Sequence, residues 1–236
     1  MPRILSVGLR CLLAASISSL LWGASWAADE SNKSDIAKRI DASAKVLTEI
    51  MGTPDKAIPD KVMSKAKCIA VIPSMVKIAV GFGGNHGKGV ATCRTANGWS
   101  APAPITITGG SWGLQLGGQA VDLVMVVMNQ QGMDHMLSSK FKLGADASVA
   151  AGPVGRHAAA DTDWKMRAQV LSYSRARGAF AGLELNGAIV KVDRESTLEF
   201  YGKMQPFDAT LQTANNPQAA LPFLNDLAKW AKLASK

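Results

Sequence analysis

A serine in a glycine-rich pentapeptide is the first candidate for chemistry. Residues 109–113 (GGSWG) fit the G-x-S-x-G pattern in which a strand, a sharp turn and a helix present a nucleophilic serine. The preceding residues predict a strand, but the following ones contain two more glycines and predict a poor helix. His135 and His157 are candidate bases that only chain order connects to Ser111. A lipid-ester serine hydrolase using Ser111 is therefore an alternative hypothesis.

A second glycine-rich segment, residues 81–89 (GFGGNHGKG), resembles loops whose backbone N–H groups surround a phosphate. Its spacing matches neither the dinucleotide fingerprint nor the P-loop, because a strand rather than a helix follows Lys88. A glycine-rich hairpin is the stronger interpretation. Its amides and Lys88 still have the chemistry to meet a lipid phosphate.

Positive charge is concentrated in one central block. The 236-residue chain has a formal net charge of +8, and residues 61–121 hold six basic residues and no acidic residue. Such a block predicts a basic surface patch for an acidic partner. The six candidate lipid-binding residues are Lys61, Lys65, Lys67, Lys77, Lys88 and Arg94.

Cysteine and histidine usage gives no metal site and no cofactor site. Cys68 and Cys93 are the cysteines outside the first 27 residues, and each lies in a strand-like run. An oxidising compartment would allow a disulfide between them, and two buried thiols are the alternative. Neither a CxxC motif nor a closely spaced Cys/His pair is present, so we expect no metal and no cofactor.

The N-terminal 27 residues have the pattern of a secretory signal peptide. Two arginines, an apolar run over 11–22 and small residues at 25 and 27 predict cleavage before Ala28. A membrane anchor is the alternative, although the apolar run is short for a span. We expect an exported protein of the periplasm or cell envelope, peripheral to the membrane. Export and the lack of a recognisable binding module disfavour nucleic acid as a partner.

Hydrophobic periodicity predicts an α+β fold. Residues 34–51 form an amphipathic helix, with Lys38, Arg39 and Lys45 as candidate membrane-facing residues. Residues 68–128 predict glycine-rich, largely antiparallel strands in a curved or barrel-like sheet, and helices lie at both ends of the domain. The C-terminal helix carries leucines and lysines that suit either core packing or an anionic membrane surface.

These boundaries predict one globular domain after the signal peptide. It comprises an N-terminal helical segment over 28–66, a core over 67–204, and a linker with the C-terminal helix over 205–236.

Several ordered motifs in the predicted core resemble the SYLF domain family, which has many exported bacterial members. They run from residue 69 to residue 202: IAVIPSMVKIAVGFGGNHGKGV, GWSAPAPI, GGSWGLQLGGQAVDLVMVVM, SKFKLGADASVAAGPVG, LSYSRARGAFAGLELNGAIVK and FYG. The GGSWG segment lies inside one of these motifs, which weakens the hydrolase hypothesis.

The resemblance implies phospholipid binding without catalysis. Eukaryotic relatives bind phosphoinositides and other anionic lipids with help from an N-terminal amphipathic helix, and some bind and bundle actin. The matching segment here is 34–51 with the lysines after it. Export makes actin a poor expectation, so we expect an anionic phospholipid or membrane surface as the partner, with the protein partner unknown. A structural or protein-interaction component of the envelope is the remaining alternative.

Overall fold

The structure is a computed structural model that describes residues 34–55, 57–80, 82–112, 117–155, 168–176, 179–181 and 185–233. The chain divides into two units, Met1–Lys33 and Ser34–Lys236, and every described residue belongs to the second. The expected signal peptide, residues 1–27, lies outside the described residues and stays a prediction, as does its cleavage.

The second unit has six described α-helices. They are α1 (Asp35–Met51), α2 (Asp60–Lys65), α3 (Gln130–Leu137), α4 (Arg194–Tyr201), α5 (Phe207–Gln212) and α6 (Leu221–Leu233). Five lie towards the ends of the unit, and α3 lies between two strands. The predicted helix over 34–51 is confirmed. The Ser34 side chain accepts a hydrogen bond from the Ala37 N–H at its start, and Gly52 follows its last residue.

The segment predicted as a linker contains α5 and a short 3-10 helix, Gln218–Ala220. Pro206 and Pro217 stand immediately before these two helices, where a fixed φ and a missing N–H are tolerated. Leu211 of α5 is fully buried. The segment therefore packs on the domain instead of only connecting it to α6.

Ten described strands form the sheet. They are β1 (Cys68–Val80), β2 (Phe82–Thr95), β3 (Gly98–Trp99), β4 (Ala103–Trp112), β5 (Gly117–Val127), β6 (Lys140–Lys142), β7 (Val149–Ala151), β8 (Val170–Ala176), β9 (Ala179–Ala181) and β10 (Ile189–Val192). The spatial order is β6-β10-β4-β2-β1-β5-β8-β7, with β3 beside β2 and β9 beside β8. All described pairings of strands are antiparallel except that of β7 with β8. The sheet is strongly curled like a half-barrel. Because this largely antiparallel sheet has helices at both ends of the unit, the expected α+β class is confirmed.

Each face of the sheet has its own buried apolar cluster, and part of the sheet outside these clusters is exposed. One cluster joins Val71 and Val90 of the central strands to the apolar faces of α1, α2 and α6; we call this side the helical face. The other joins Ile72 and Ile105 to Met136 of α3 and to Leu211. The sheet therefore lies between two apolar clusters, one on each of its faces.

A β-bulge in β1 explains part of the glycine excess. The register of β1 shifts between Ile72 and Met75 against β5, and Ser74 there has φ +50°. The Asp122 carboxylate accepts a hydrogen bond from the Ser74 N–H at 2.9 Å. In the neighbouring β2, a Cβ at Gly89 would lie 2.2 Å from the Val71 carbonyl oxygen. The bulge brings the two backbones close, so that only glycine fits there.

Cys68 and Cys93 stand directly opposite each other in β1 and β2 and are joined by a disulfide. Both side chains are fully buried. The bond closes the β1–β2 hairpin at the end where the chain arrives from α2.

Candidate functional site

Three lysines project from α2 and the residues after it. Lys61 and Lys65 are one turn apart on α2, Lys67 follows two residues later, and all three are exposed. Among the described residues, none of the three pairs with a carboxylate. We call Lys61, Lys65 and Lys67 the α2 lysines.

Arg94 positions these lysines through hydrogen bonds to the backbone at the end of α2. Its Nε donates to the Ala66 carbonyl oxygen at 3.1 Å, and its Nη2 donates to the Met63 carbonyl oxygen at 3.2 Å. The guanidinium also lies 4.7 Å from the centre of the Trp99 ring. Partial burial lowers the pKa of Arg94. Arg94 thus caps the C-terminal end of α2, a favourable place for a cation because the last carbonyls carry partial negative charge.

Two other predicted ligands, Lys88 and Arg39, converge on one carboxylate. Lys88 Nζ lies 3.3 Å from Asp193 Oδ2, and Arg39 Nη1 lies 3.2 Å from the same oxygen. The amphipathic pattern of α1 predicts a solvent-facing Arg39, but its side chain is only 13% exposed. This ion-paired group ties α1 and β2 to the start of α4.

The Asp193 carboxylate is suited to this role. Burial by itself would raise its pKa, but hydrogen bonds from Ser196 and the ammonium group of Lys88 outweigh burial and lower the pKa below its ordinary value. Ser196 N–H and Oγ donate at 3.2 and 2.8 Å. Asp193 therefore stays ionised at neutral pH and neutralises part of the charge of Lys88 and Arg39.

Lys77 lies on the opposite face of the sheet from Lys88 and Arg94. It stands opposite Asn85 of β2. The pairing of β2 with β4 has no register shift from Asn85 to Lys88, so side chains along this part of β2 alternate regularly between the two faces. Positions 85 and 88 therefore point to opposite faces. The six basic residues of the central block do not share one surface.

The apolar side of α1 is committed to the core. Ile36, Ile40 and Leu47 are fully or almost fully buried. Lys38 and Lys45 are exposed, and Lys38 has an ion pair with Asp35 at 3.9 Å. The predicted membrane-facing cations of α1 therefore reduce to these two exposed lysines.

A second ionic group fastens the C-terminal half of α1. Arg175 of β8 pairs with Glu49 of α1 and, at 2.8 Å, with Asp122 of β5. Because Asp122 also holds the Ser74 N–H, α1 is connected through side chains to the bulge of β1.

Three further exposed lysines, absent from the sequence prediction, lie together at one edge of the sheet. Lys191 of β10 stands directly opposite Lys140 of β6, and Lys142 is two residues along β6 on the same face. None of them has a carboxylate partner among the described residues. We call Lys140, Lys142 and Lys191 the strand lysines. In the sequence, their alternation with the apolar residues Phe141 and Val190 could have indicated half-buried strands with exposed lysines. The sequence could not show that these strands pair, because β6 and β10 are far apart along the chain.

The backbone around Ser111 lacks the geometry of a nucleophile elbow. Ser111 lies inside β4, paired with Gly83 of β2, where an elbow requires a turn between strand and helix. Asp122, the acidic residue that follows Ser111 most closely in the sequence, accepts hydrogen bonds from Arg175 and from the Ser74 N–H. Of the two candidate bases, His135 lies in α3 and His157 is outside the described residues.

One cavity among the described residues has an uncharged lining. Its volume is about 320 Å³, and it lies between α4, α5 and the residues before α6. It is lined by Ala101, Tyr201, Gln205, Ala209, Thr210, Thr213, Asn215, Asn216 and Pro217. With no cation in its wall, it is unsuited to an anionic headgroup.

Neither a metal centre nor a membrane-spanning helix occurs in the part of the chain that the structure describes. His, Cys, Asp and Glu side chains there form no group of three that could hold a metal ion. The described helices are too short or too polar to cross a bilayer.

Similar proteins agree with the resemblance in the motifs. The family model Ysc84, described as a Las17-binding protein actin regulator, matches residues 108–230. The chain is 33% identical over 175 residues to SH3 domain-containing YSC84-like protein 1 of Bos taurus, which covers 72% of this chain and 51% of that protein. It is 34% identical over 170 residues to LAS seventeen-binding protein 3 of Saccharomyces cerevisiae strain S288c, covering 70% of this chain and 37% of that protein.

The matched region runs from within β4 to within α6, so it includes β5 to β10 and most of the C-terminal helices but neither of the central strands β1 and β2. The chain spans about half the length, or less, of these curated relatives. The family's description is that of a binding and regulatory protein. On this match, the chain belongs to the Ysc84 family, the SYLF family that its motifs resemble.

Proposed function

We propose that this protein binds an anionic phospholipid surface without catalysis, as a peripheral protein of the cell envelope. The observation that carries the proposal is the exposed set of α2 lysines, which have no carboxylate partner among the described residues. Each lysine near an anionic membrane contributes about 1 kcal/mol of attraction. Three of them support reversible attachment that salt weakens, because exposed charges are screened over about 8–10 Å.

The α2 lysines are held in a defined arrangement, which favours a binding role. Arg94 fixes the end of α2, and the Arg94 N–H donates to the Lys67 carbonyl oxygen at 2.7 Å. The disulfide between Cys68 and Cys93 joins the two adjacent positions. A fixed cluster loses less conformational freedom on binding than three lysines on a mobile loop would lose.

Docking by the folded domain does not require insertion of α1. Its apolar residues are in the core, and ionic groups hold it at Arg39 and at Glu49. Undocking α1 would expose that core surface to water. We therefore propose attachment through charge on a folded domain, with α1 contributing Lys38 and Lys45 at most.

A second candidate function is protein binding. The description of the family and the name of the yeast relative both refer to a Las17-binding protein. A protein-interaction component of the envelope would use the same exposed surfaces. Crosslinking that recovers one stoichiometric protein partner, with no vesicle binding, would favour this candidate.

Flotation with liposomes tests the lipid proposal. The chain without residues 1–27 is mixed with neutral phosphatidylcholine vesicles or with vesicles containing phosphatidylglycerol, at low and high salt. We expect flotation with the anionic vesicles only, and less of it at high salt. Equal flotation with both vesicle types would contradict the electrostatic mechanism.

A charge-reversal variant tests the choice of residues. Lys61→Glu/Lys65→Glu should weaken binding to anionic vesicles by more than tenfold, because each change removes one attraction and adds one repulsion. The matched control is Arg194→Glu/Lys203→Glu, which has the same change in net charge at other exposed positions. Equal losses in the two variants would show that net charge alone matters.

A further inference from the structure

A larger basic surface lies on the helical face of the sheet, at the edge formed by β6 and β10. Strand register places Lys140, Lys191, Thr106 and Lys88 side by side on four adjacent strands. The next line across the sheet is Lys142, Ile189, Thr108, His86, Val76 and Ala120. Residues that are directly opposite in neighbouring strands share a face, as do residues two apart in one strand, so both lines lie on one face of the sheet. Thr106, between Lys191 and Lys88, is buried, and the lysines on either side of it are exposed.

The charge on this surface is unbalanced. Neither line contains an acidic residue, and Lys88 is the member that Asp193 partly neutralises. The Asp146 carboxylate accepts from the Lys142 backbone N–H, so it is used in the turn after β6. The ammonium groups of the three strand lysines have no anionic partner among the described residues.

Lys140 and Lys191 form an unfavourable pair in the isolated protein. Like charges directly opposite each other on adjacent strands destabilise a sheet. The fold gains nothing from this juxtaposition, whereas a ligand with several negative charges would relieve it. An anionic partner is therefore the chemistry that this arrangement fits.

Part of the same surface is apolar and open. Val76 is 45% exposed, and Ala120 beside it is exposed. On the next line, a Cβ at Gly84 or Gly110 would meet no atom closer than 3.8 Å. Packing within the described chain does not require glycine at these two positions, in contrast to Gly89. The bare backbone leaves room for close approach by a partner.

We propose that the strand lysines and this open strand surface form a second docking site for anionic phospholipid, an inference that rests on the proposed function. The lysine ammonium groups contact the lipid phosphates, and Val76 contacts the apolar acyl-chain boundary below the headgroups. Lipid suits this combination better than an acidic peptide does, because charge and apolar area are spread over several strands instead of lining a groove.

The test compares two triple variants that change net charge equally. One reverses the strand lysines (Lys140→Glu/Lys142→Glu/Lys191→Glu), and the other reverses the α2 lysines (Lys61→Glu/Lys65→Glu/Lys67→Glu). Removing three lysine attractions predicts about 100-fold weaker binding of the first variant to phosphatidylglycerol vesicles. Circular dichroism and the melting temperature establish that both variants are folded, and a triple Lys→Gln variant replaces either one that is not.

The outcomes separate the two proposals. If the unaltered protein does not bind anionic vesicles, the proposed function fails. If it binds, and the strand-lysine variant binds equally well while the α2 variant does not, the second site is overturned and the function stands. Tighter binding of a polyglutamate peptide than of vesicles, lost in the strand-lysine variant, would overturn lipid as the occupant.

A single substitution adds a readout that a structural role would not give. Lys191→Gln removes the repulsion with Lys140, so the melting temperature should stay the same or rise. Vesicle binding should nevertheless weaken about fivefold. A lower melting temperature together with unchanged vesicle binding would overturn the proposal.

Discussion

At the residue scale, the environment of each basic side chain decides its role. Arg94 and Arg39 have the same formal charge as the α2 lysines, yet one caps a helix and the other pairs with Asp193. A guanidinium presents several donors in a fixed plane and suits such multiple bonds. The exposed lysines with no carboxylate partner are the ones left for an external anion.

Replacing Asp193 tests the ion-paired group between α1, β2 and α4. Asp193→Asn should lower the free energy of unfolding at pH 7 by about 2 kcal/mol, because charge-assisted hydrogen bonds to Arg39 and Lys88 are lost. Urea denaturation measures the change. The control is Glu195→Gln, whose exposed carboxylate lies 4.0 Å from Lys88 and should contribute less than about 0.5 kcal/mol.

The same variant has a defined pH dependence. The pKa of Asp193 is lower in the folded protein than its ordinary value of 3.8. Its stabilisation is therefore complete above that value and disappears as the pH falls through the lower, folded pKa. The stability difference between the unaltered protein and Asp193→Asn should shrink below pH 3.8, and a difference that grows there would contradict this account.

At the scale of elements, the glycine-rich strands contain two kinds of glycine. Gly87 and Gly89 lie beside the bulge of β1, where an added Cβ would collide with Ile72 or with the Val71 backbone. Gly84 and Gly110 have open space. Sequence composition shows the excess but does not distinguish the two kinds, because the difference depends on the neighbouring strand.

Alanine substitutions separate these glycines. Gly89→Ala should cost about 3 kcal/mol of stability, since a Cβ 2.2 Å from a backbone oxygen forces the strands apart. Gly110→Ala should be neutral or stabilising by about 0.5 kcal/mol, because alanine restricts the unfolded chain more than glycine does. Chemical denaturation of both variants measures the changes, and equal losses would contradict the assignment.

At the scale of the whole molecule, the position of the α2 lysines relative to the sheet depends on a covalent bond between the two central strands. The disulfide spans 25 positions of the chain and joins the residues next to Lys67 and Arg94. It therefore limits movement of α2 away from the sheet. The layer of α1, α2 and α6 covers one end of the helical face and leaves the β6–β10 edge exposed.

Removing the disulfide tests its contribution to the whole fold. Cys68→Ala/Cys93→Ala should reduce the free energy of unfolding by about 3 kcal/mol, because the unfolded chain is no longer restricted by the closed loop. Urea denaturation of the variant and of the oxidised and reduced protein provides the measurement. Equal stability of oxidised and reduced protein would show that the bond does not constrain the unfolded chain.

The amino-acid sequence alone determined the family, the fold class and the position of α1, because ordered motifs and the period of apolar residues are local properties of the chain. It also placed Cys68 and Cys93 in strands that could be neighbours. Tertiary structure decided which cations are free: it paired Lys88 with Asp193, moved Lys77 to the other face, and brought Lys140 beside Lys191. Charge pairing and strand register depend on contacts between residues far apart in sequence, so spacing along the chain does not reveal them.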